Sequence, residues 1–193
     1  MRRSNESRSA STQAALLAAA RQVFVENGYT AAATTEVVEL AGVTRGALYH
    51  HFDGKAGLFK AVIEQEAAAV AQAIAARTAN PMSANRALLD GAAAYFEAMS
   101  VAGRVRLLLI EGPAVLGVEA MDAIDGATGR GELRLGLQLA ADTGKLDHAD
   151  VGPLAAMLSA AFDKAALDVA AGASQHAYLS TLKAVIGALV KDE

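Results

Sequence analysis

The chain has 193 residues, of which 53% are hydrophobic and none is cysteine, and its formal net charge is -4 at pH 7. The lack of cysteine excludes disulfides and thiolate metal sites, and the apolar content excludes disorder over most of the length. No run of about 18 apolar residues exists, so we expect no membrane-spanning helix. Many alanines and only three prolines favour an all-α fold.

Charge is unevenly distributed along the chain. Residues 1–60 hold seven Lys/Arg against five Asp/Glu, whereas residues 61–193 hold ten against sixteen. A slightly basic head on an acidic body is typical of a protein in which only one face meets a polyanion.

Residues 1–10 have no apolar periodicity, and we expect a flexible basic arm there. Arg2, Arg3 and Arg8 would reach phosphates or a minor groove, with a solvated tail as the equal alternative. The two leading arginines before the apolar run at 14–20 loosely resemble a signal peptide. Because Arg21 follows that run at once and no clear cleavage site is present, we expect a cytoplasmic protein.

Four helices are predicted between residues 11 and 78, and the first three form a small head over residues 11–60. Their expected bounds are 11–27, 34–40, 45–51 and, after Asp53 as the cap, 54 to about 78. Apolar residues at helical spacing predict which side chains face inward. These side chains are Leu16, Ala20, Val23, Phe24, Val37, Val38, Leu40, Leu48, Phe52, Leu58, Phe59, Val62, Ile63, Val70 and Ile74.

The segment from Val37 to Lys55 predicts a helix-turn-helix. Gly42 permits the sharp turn after the second helix, and Thr44 offers an N-cap oxygen to the third. The outward face of that third helix carries small, hydrogen-bonding or cationic groups, namely Thr44, Arg45, Gly46, Tyr49 and His50. Such a face suits contact with DNA, so the segment predicts a DNA-binding helix.

Two flanking positions are candidate phosphate contacts. Thr34 and Thr35 open the second helix, where hydroxyls and free amides bind a phosphate as readily as they cap. Lys55 lies in the first turn of the fourth helix, where the macrodipole disfavours a cation. A phosphate opposite Lys55 would explain its place.

Residues 81–193 are predicted to form a helical body after a boundary at Asn80-Pro81. Glycines at 126, 129 and 131 predict a loop over 118–131. The predicted helices cover 83–99, 104–117 with a break at Gly112-Pro113, 132–142, 151–170 and 175–191.

The last two helices are apolar over more than one face. That surplus indicates a helix-pair dimer interface, with tightly wrapped core helices as the alternative. The predicted interface residues are Leu154, Leu158, Phe162, Tyr178, Leu182, Val185 and Leu189.

From Gly28 to Leu58 the chain resembles the TetR family of bacterial transcriptional regulators. The residues that carry the resemblance are Gly28-Tyr29, Thr34-Thr35, Val37-Val38, Ala41 through Phe52, Lys55 and Leu58. The chain departs from the family pattern at Ala33, where a polar cap is common, and at Gly54, which replaces a bulkier residue.

The resemblance implies an N-terminal helix-turn-helix domain and a C-terminal domain for effector binding and dimerisation. It implies a homodimer whose two recognition helices enter successive major grooves of a roughly palindromic operator, and a small-molecule effector that releases the DNA. Arg45 is the candidate for guanine contact. The full set of implied DNA contacts is Thr34, Thr35, Thr44, Arg45, Gly46, Ala47, Tyr49, His50 and Lys55.

Candidate effector-binding residues are chosen for aromatic or soft apolar character, although residues of this kind are more often plain core than ligand wall. They are Tyr95, Phe96, Met99, Leu109, Val115, Met121 and Phe162. Glu111 is added because it lies in an apolar run, although pairing with Arg104 or Arg106, or exposure at the kink, is the preferred alternative. The acidity of the body suits cationic or neutral effectors.

No catalytic, metal or cofactor motif is visible, and we expect no enzyme. Gly129-Arg-Gly131 lacks the further glycine and the strand of a dinucleotide site. His50 and His51 are adjacent, so they lie on different helix faces and cannot form an i, i+4 metal pair. Two functions remain: an effector-released repressor, or a helical DNA-binding or protein-interaction module with a filled core and no effector.

Overall fold

Helices account for nearly all of the regular structure, because the chain is rich in alanine and poor in helix breakers. The computed structural model describes residues 2–80, 82–146 and 150–191, with side chains from residue 7 onward. These ranges contain no strand beyond an isolated bridge between Leu146 and Val190, so the predicted all-α class is confirmed. A π-helical segment spans Arg106–Glu111, and the α-helices are α1 (Arg2–Ala31), α2 (Thr34–Ala41), α3 (Arg45–His51), α4 (Gly54–Thr78), α5 (Ala84–Met99), α6 (Gly112–Leu116), α7 (Val118–Ala127), α8 (Gly129–Asp142), α9 (Val151–Ala170) and α10 (Gln175–Leu189).

The chain divides into two compact units. The N-terminal unit contains Met1–Glu66 and Arg106–Ala120, and the body unit contains Ala67–Val105 and Met121–Glu193. The N-terminal unit therefore includes a segment that the sequence assigned to the body. Pro81 of the expected boundary lies outside the described residues.

Helix α1 begins at Arg2, so residues 2–10 are helical where the sequence predicted an arm without regular structure. No glycine or proline precedes Gly28, and nothing in the local sequence stops a helix there. Arg8 is exposed, while nothing is described of the side chains of Arg2 and Arg3. The predicted break after Asn27 is confirmed, since Gly28 has φ 74° and ψ 165°, a backbone region that only glycine adopts readily.

The core of the N-terminal unit follows the predicted periodicity, with Leu40 as the exception. Leu16, Val23, Phe24, Val37, Leu48, Phe59 and Ile63 are all at most 1% exposed. Leu40 is 50% exposed, so its predicted inward position is wrong. At 100° per residue it lies about 110° around α2 from the midpoint of Val37 and Val38, beyond the face that packs on α1.

An ion pair from the π-helical segment sits against the break in α1. Arg106 Nη2 lies 2.7 Å from Glu111 Oε1, and Glu111 Oε2 accepts the backbone N–H of Tyr29 at 3.1 Å. A Cβ at Gly28 would collide with the Arg106 guanidinium and lie 2.8 Å from Glu111 Oε1. That Cβ would meet only the ends of two flexible side chains, which would have to shift, so glycine is required here mainly for its backbone angles. We call Gly28, Tyr29, Arg106 and Glu111 the break clamp.

The body unit is built from α5, α8, α9 and α10, together with the C-terminal part of α4. The loop predicted over 118–131 is wrong, because α7 and the start of α8 occupy it with one break at Thr128. A Cβ on Gly131 would lie 2.9 Å from the carbonyl oxygen of Gly126. These glycines therefore permit a close backbone approach between two helices, which a sequence cannot distinguish from a flexible turn.

The other helices predicted after residue 81 lie close to their expected bounds. The helix type changes at Gly112, and Pro113 stands in the first turn of α6, so the predicted break is confirmed. Helix α10 ends at Leu189, short of the predicted Lys191. The next residue, Val190, is extended and forms the bridge with Leu146.

Candidate nucleic-acid interface and internal cavity

The turn between α2 and α3 has the geometry that the sequence predicts. Gly42 adopts the left-handed conformation with φ 65° and ψ 30°. The Thr44 hydroxyl oxygen then accepts the backbone N–H of Ala47 at 3.2 Å and caps α3. Leu48 is fully buried and anchors the inner face of this short helix, so its other face is held toward solvent.

The outer face of α3 is solvent-exposed along its length. Thr44, Arg45, Gly46, Tyr49 and His50 are all exposed, and Ala47 is half-buried. The structure therefore brings the predicted α3 contacts together on one open surface. Such a surface, carrying one arginine, one tyrosine and one histidine, suits a DNA groove.

Arg45 and Tyr49 form an ordered pair on that surface. Arg45 Nη2 donates to the Tyr49 hydroxyl at 3.4 Å, and the guanidinium carbon lies 5.5 Å from the centre of the ring. The hydrogen bond from Arg45 and its positive charge, with a further hydrogen bond involving Thr34, lower the pKa of Tyr49 below its ordinary value. The two side chains thus hold one another in place one turn apart.

The start of α2 is open to an anion. Its N-cap residue is Ala33, and no side chain caps the helix. Thr35 is exposed and Thr34 half-buried. Uncapped amides beside threonine hydroxyls form the kind of helix end that binds a phosphate.

Lys55 has partners within the protein. Its Nζ donates to the carbonyl oxygen of Thr30 at 3.1 Å and lies 4.7 Å from the centre of the Tyr29 ring. These contacts tie the start of α4 to the end of α1. An ammonium has three donors, so a phosphate contact of Lys55 remains a prediction.

The body unit contains a cavity of about 250 Å³. Its walls come from the end of α4, from α5, from the α7–α8 junction and from α9. The apolar wall residues include Leu88, Leu133, Leu135, Leu139 and the aromatic rings of Tyr95 and Phe162. Leu135 and Leu139 are exposed, so the cavity opens to solvent on the α8 side.

A polar network lies at one end of the cavity. The Tyr95 hydroxyl donates to Asp163 Oδ1 at 2.7 Å, and the Ser159 hydroxyl donates to Asp125 Oδ2 at 3.1 Å. Burial raises the pKa of Asp163 to about 6, against the hydrogen bond from Tyr95, and the charge of Asp125 raises it further. Burial, reinforced by Asp163, also raises the pKa of Tyr95.

Of the eight predicted effector-binding residues, Tyr95 and Phe162 line this cavity. Phe96 and Met99 are buried in α5 without lining it, and Met121 is half-buried in α7. Leu109, Glu111 and Val115 belong to the N-terminal unit. The structural alternative for Glu111 is confirmed, because it pairs with Arg106 in the break clamp.

Sequence reasoning missed the polar wall of the cavity. Asp125, Glu132 and Ser159 line the cavity. Asp125 lies in the segment predicted to be a loop, Glu132 at the predicted start of a helix, and Ser159 among the apolar residues of α9. The spacing of acidic residues around the glycines at 126–131 was the available signal.

The predicted dimer residues are divided between core and surface. Leu158, Phe162 and Leu182 are at most 7% exposed within the single chain, so they leave almost no area to bury against a second copy. Leu154, Tyr178 and Leu189 are half-buried, and Val185 is exposed. The outer faces of α9 and α10 instead present Met157, Ala160, Ala161, Ala184, Val185 and Ala188.

Two further findings concern the part of the chain that the structure describes. It contains no group of three or more His, Asp or Glu side chains arranged to hold a metal ion. None of its helices combines the length and hydropathy that crossing a bilayer requires.

Two family models match this sequence. Residues 16–62 match the bacterial regulatory proteins of the tetR family, and residues 85–192 match the tetracyclin repressor-like C-terminal domain. The chain belongs to the TetR family. The resemblance inferred from Gly28 to Leu58 is thereby confirmed, and the helical body matches the family as well.

Relatives of the TetR-family chain are transcriptional regulators. The HTH-type transcriptional repressor BepR of Brucella suis biovar 1 (strain 1330) is 46% identical over 61 residues, which are 32% of this chain and 29% of BepR. The HTH-type transcriptional repressor AcnR of Corynebacterium diphtheriae is 40% identical over 60 residues, 31% of this chain and 32% of AcnR. The chain thus aligns with about a third of each relative.

Solved structures of the family match nearly the whole chain. A TetR-family transcriptional regulator from Pectobacterium atrosepticum has a TM-score of 0.76 and 28% identity, over 96% of this chain and 97% of that one. FadR of Bacillus subtilis, solved in complex with stearoyl-CoA, has a TM-score of 0.75 and 16% identity, over 92% and 97%. The likeness to FadR shows the shared fold alone.

Proposed function

We propose that this TetR-family chain is a cytoplasmic transcriptional repressor that binds a palindromic operator as a homodimer and is released by a small-molecule effector. The observation that carries the proposal is the exposed Arg45–Tyr49 pair on a helix whose start is capped by Thr44. Both side chains point away from the core and keep their donors accessible to a polyanion.

Each group on this surface has a distinct role in the proposal. The Arg45 guanidinium matches the O6 and N7 acceptors of a guanine in the major groove. The Tyr49 hydroxyl and the open start of α2 at Thr34 and Thr35 bind the phosphate backbone and fix the register. One α3 of seven residues contacts only a few base pairs, so specificity requires a second copy.

The homodimer is proposed to form through the outer faces of α9 and α10. Met157 is 72% exposed and Val185 is 40% exposed, and the alanines between them let two helices approach closely. This assignment replaces the three predicted interface residues that are already buried within the chain.

The test begins with duplexes selected from a random library for binding to the full-length protein. Fluorescence anisotropy with the selected operator then compares Arg45→Ala with the wild type. We expect a loss of about 1–3 kcal/mol, roughly 5- to 150-fold in affinity, with relaxed specificity at one base pair. Tyr49→Phe removes one phosphate contact and lowers affinity less, uniformly across sequences.

The matched control is Arg86→Ala, which removes an exposed arginine on α5 paired with Asp90. It keeps wild-type affinity if the interface is on α3. If Arg45→Ala binds the operator with wild-type affinity and specificity, the outer face of α3 is not the DNA-binding surface.

The alternative is a DNA-binding or protein-interaction module without an effector. The cavity volume favours it, since about 250 Å³ lies below the roughly 300 Å³ at which drug-sized ligand pockets begin. If any small molecule that binds the body unit releases the selected operator, the effector-released repressor is supported. A screen in which every cavity ligand leaves DNA binding unchanged decides for the alternative.

A further inference from the structure

The walls of the body cavity carry two carboxylates and no cationic side chain. Asp125 and Glu132 line the cavity, and no lysine, arginine or histidine is among its wall residues. Asp163 lies directly behind the wall, hydrogen-bonded to Tyr95. An anionic ligand would meet repulsion here and would find no charged donor.

Arg130, which does not line the cavity, pairs with the acidic groups of α7. Arg130 Nη1 lies 2.6 Å from Asp122 Oδ1, and Arg130 Nη2 donates to the Asp122 carbonyl oxygen at 2.7 Å. Its Nε lies 3.7 Å from Asp125 Oδ2. The charge of Arg130 also acts on Asp163, whose pKa burial raises and Arg130 lowers. One arginine therefore serves three carboxylates, and Glu132 adds a fourth negative group to the body unit.

Glu132 is the wall carboxylate left without a partner. It is half-buried, and among the side chains that the structure describes none forms an ion pair or hydrogen bond with it. The first turn of α8 stabilises a carboxylate through the macrodipole, which explains how Glu132 is tolerated there. It does not provide the direct contact that a half-buried charge gains from a cation.

The rest of the wall suits the apolar body of an amine. Tyr95 and Phe162 present rings whose centres are 5.5 Å apart, and the faces of aromatic rings attract ammonium groups. Leu88, Leu133 and Leu139 supply the remaining apolar surface. The cavity volume of about 250 Å³ limits the ligand to a small molecule.

We propose that the cavity binds a small organic cation, with its ammonium group against Glu132 and Asp125 and its apolar body among the leucines and the two aromatic rings. This inference rests on the proposed function, because it names the chemical class of the effector. It also has a readout that needs no DNA.

The probes are phenethylammonium, benzyltrimethylammonium, 2-phenylethanol and phenylacetate, which share an aromatic body and differ in charge. Isothermal titration calorimetry with the full-length protein measures their affinities near neutral pH. We expect both cations to bind at least tenfold more tightly than the alcohol or the carboxylate. Binding of the alcohol or the carboxylate as tightly as the cations overturns the proposal, as does a failure of both cations to bind at about 10 mM.

Glu132→Gln tests the partner, since it removes the charge and keeps the size of the side chain. It is expected to weaken the two cations roughly tenfold and to leave 2-phenylethanol unchanged. Glu119→Gln is the matched control, because Glu119 is an exposed acid in the first turn of α7 and does not line the cavity. Circular dichroism melting confirms that both variants fold, and equal weakening by the two substitutions contradicts the assignment of Glu132.

Operator release separates this inference from the proposed function. A cation that binds through Glu132 but leaves DNA bound supports the cavity assignment and contradicts effector control. If a neutral or anionic probe releases DNA while the cations do not bind, effector control is supported and the proposal of a cationic ligand is overturned.

Discussion

The N-terminal unit presents its polar groups outward on a short helix, whereas the body unit gathers them around an internal cavity. The exposed Arg45 lowers the pKa of Tyr49 through a direct hydrogen bond. Burial raises the pKa of Asp163 to about 6 despite a hydrogen bond from Tyr95. Both places pair a tyrosine with a charged side chain, and burial together with the sign of the partner's charge sets the direction of each pKa shift.

Because of this difference, we expect the stability of the two units to respond differently to a change in charge. A solvated surface tolerates the gain of phosphate charge with little cost to the fold. In the body unit, burial raises the pKa of Asp163 and so couples its charge to stability. Three substitutions test this comparison. They change the backbone break of the N-terminal unit, the pH dependence of the body unit and the association of two body units.

The largest expected effect is in the break clamp. Gly28→Ala forces alanine into a glycine-only backbone region with φ 74° and ψ 165° and displaces the ends of the Arg106 and Glu111 side chains, which should cost about 3 kcal/mol in the free energy of unfolding. Urea denaturation followed by circular dichroism measures it. Gly42→Ala is the control, since a Cβ there meets nothing within 4 Å and costs only about 1–2 kcal/mol. Equal losses would show that the ion pair does not constrain the break.

The next effect is on the pH dependence of the body unit. Because the folded state raises the pKa of Asp163 from 3.8 to about 6, its contribution to stability is full below pH 3.8 and is lost as pH rises through about 6. Asp163→Asn removes this dependence while its amide oxygen still accepts from Tyr95. The variant should therefore gain on the order of 2 kcal/mol relative to the wild type between about pH 4 and pH 7.

Urea denaturation of the two proteins across this pH range gives the difference directly. Asp142→Asn, at an exposed carboxylate on α8, is the control and should follow the wild type. A pH-independent difference for Asp163→Asn would mean that its carboxyl titrates normally.

The smallest effect concerns the outer face of α9. Met157→Asp should raise the dimer dissociation constant about tenfold, or about 1.4 kcal/mol, because it places an unpaired charge in an apolar interface. Sedimentation velocity over a concentration series measures it. Val118→Asp replaces an equally exposed apolar side chain on α7 and should leave association unchanged. Wild-type association of Met157→Asp would exclude α9 from the interface.

The sequence predicted the turn and α3 of the N-terminal unit well because their determinants are local. Gly42 and Thr44 act within three residues of the turn, and the bounds of α3 match the prediction. Leu40 was misplaced because α2 has only eight residues, and a pattern that short leaves the edge of its buried face undefined.

The body unit was harder to predict because its contacts join distant residues. Tyr95 and Asp163 are 68 positions apart, and Ser159 and Asp125 are 34 apart. Hydrophobic periodicity cannot reveal pairs that are so far apart in the sequence. Tyr95 and Phe162 were predicted to line a cavity because they are aromatic, whereas the carboxylates were not predicted. Apolar stripes on α9 and α10 likewise cannot show which side faces the chain's own core, and Leu158 and Leu182 were therefore assigned to the interface.

The break clamp also has a consequence for engineering regulators of this family. The simplest chimaera would join the N-terminal helices of one protein to the body of another at the end of α4. Such a junction would separate Gly28 and Tyr29 from Arg106 and Glu111. A transferable DNA-binding module of this protein must therefore be discontinuous, with Arg106–Ala120 taken from the same parent as Met1–Glu66.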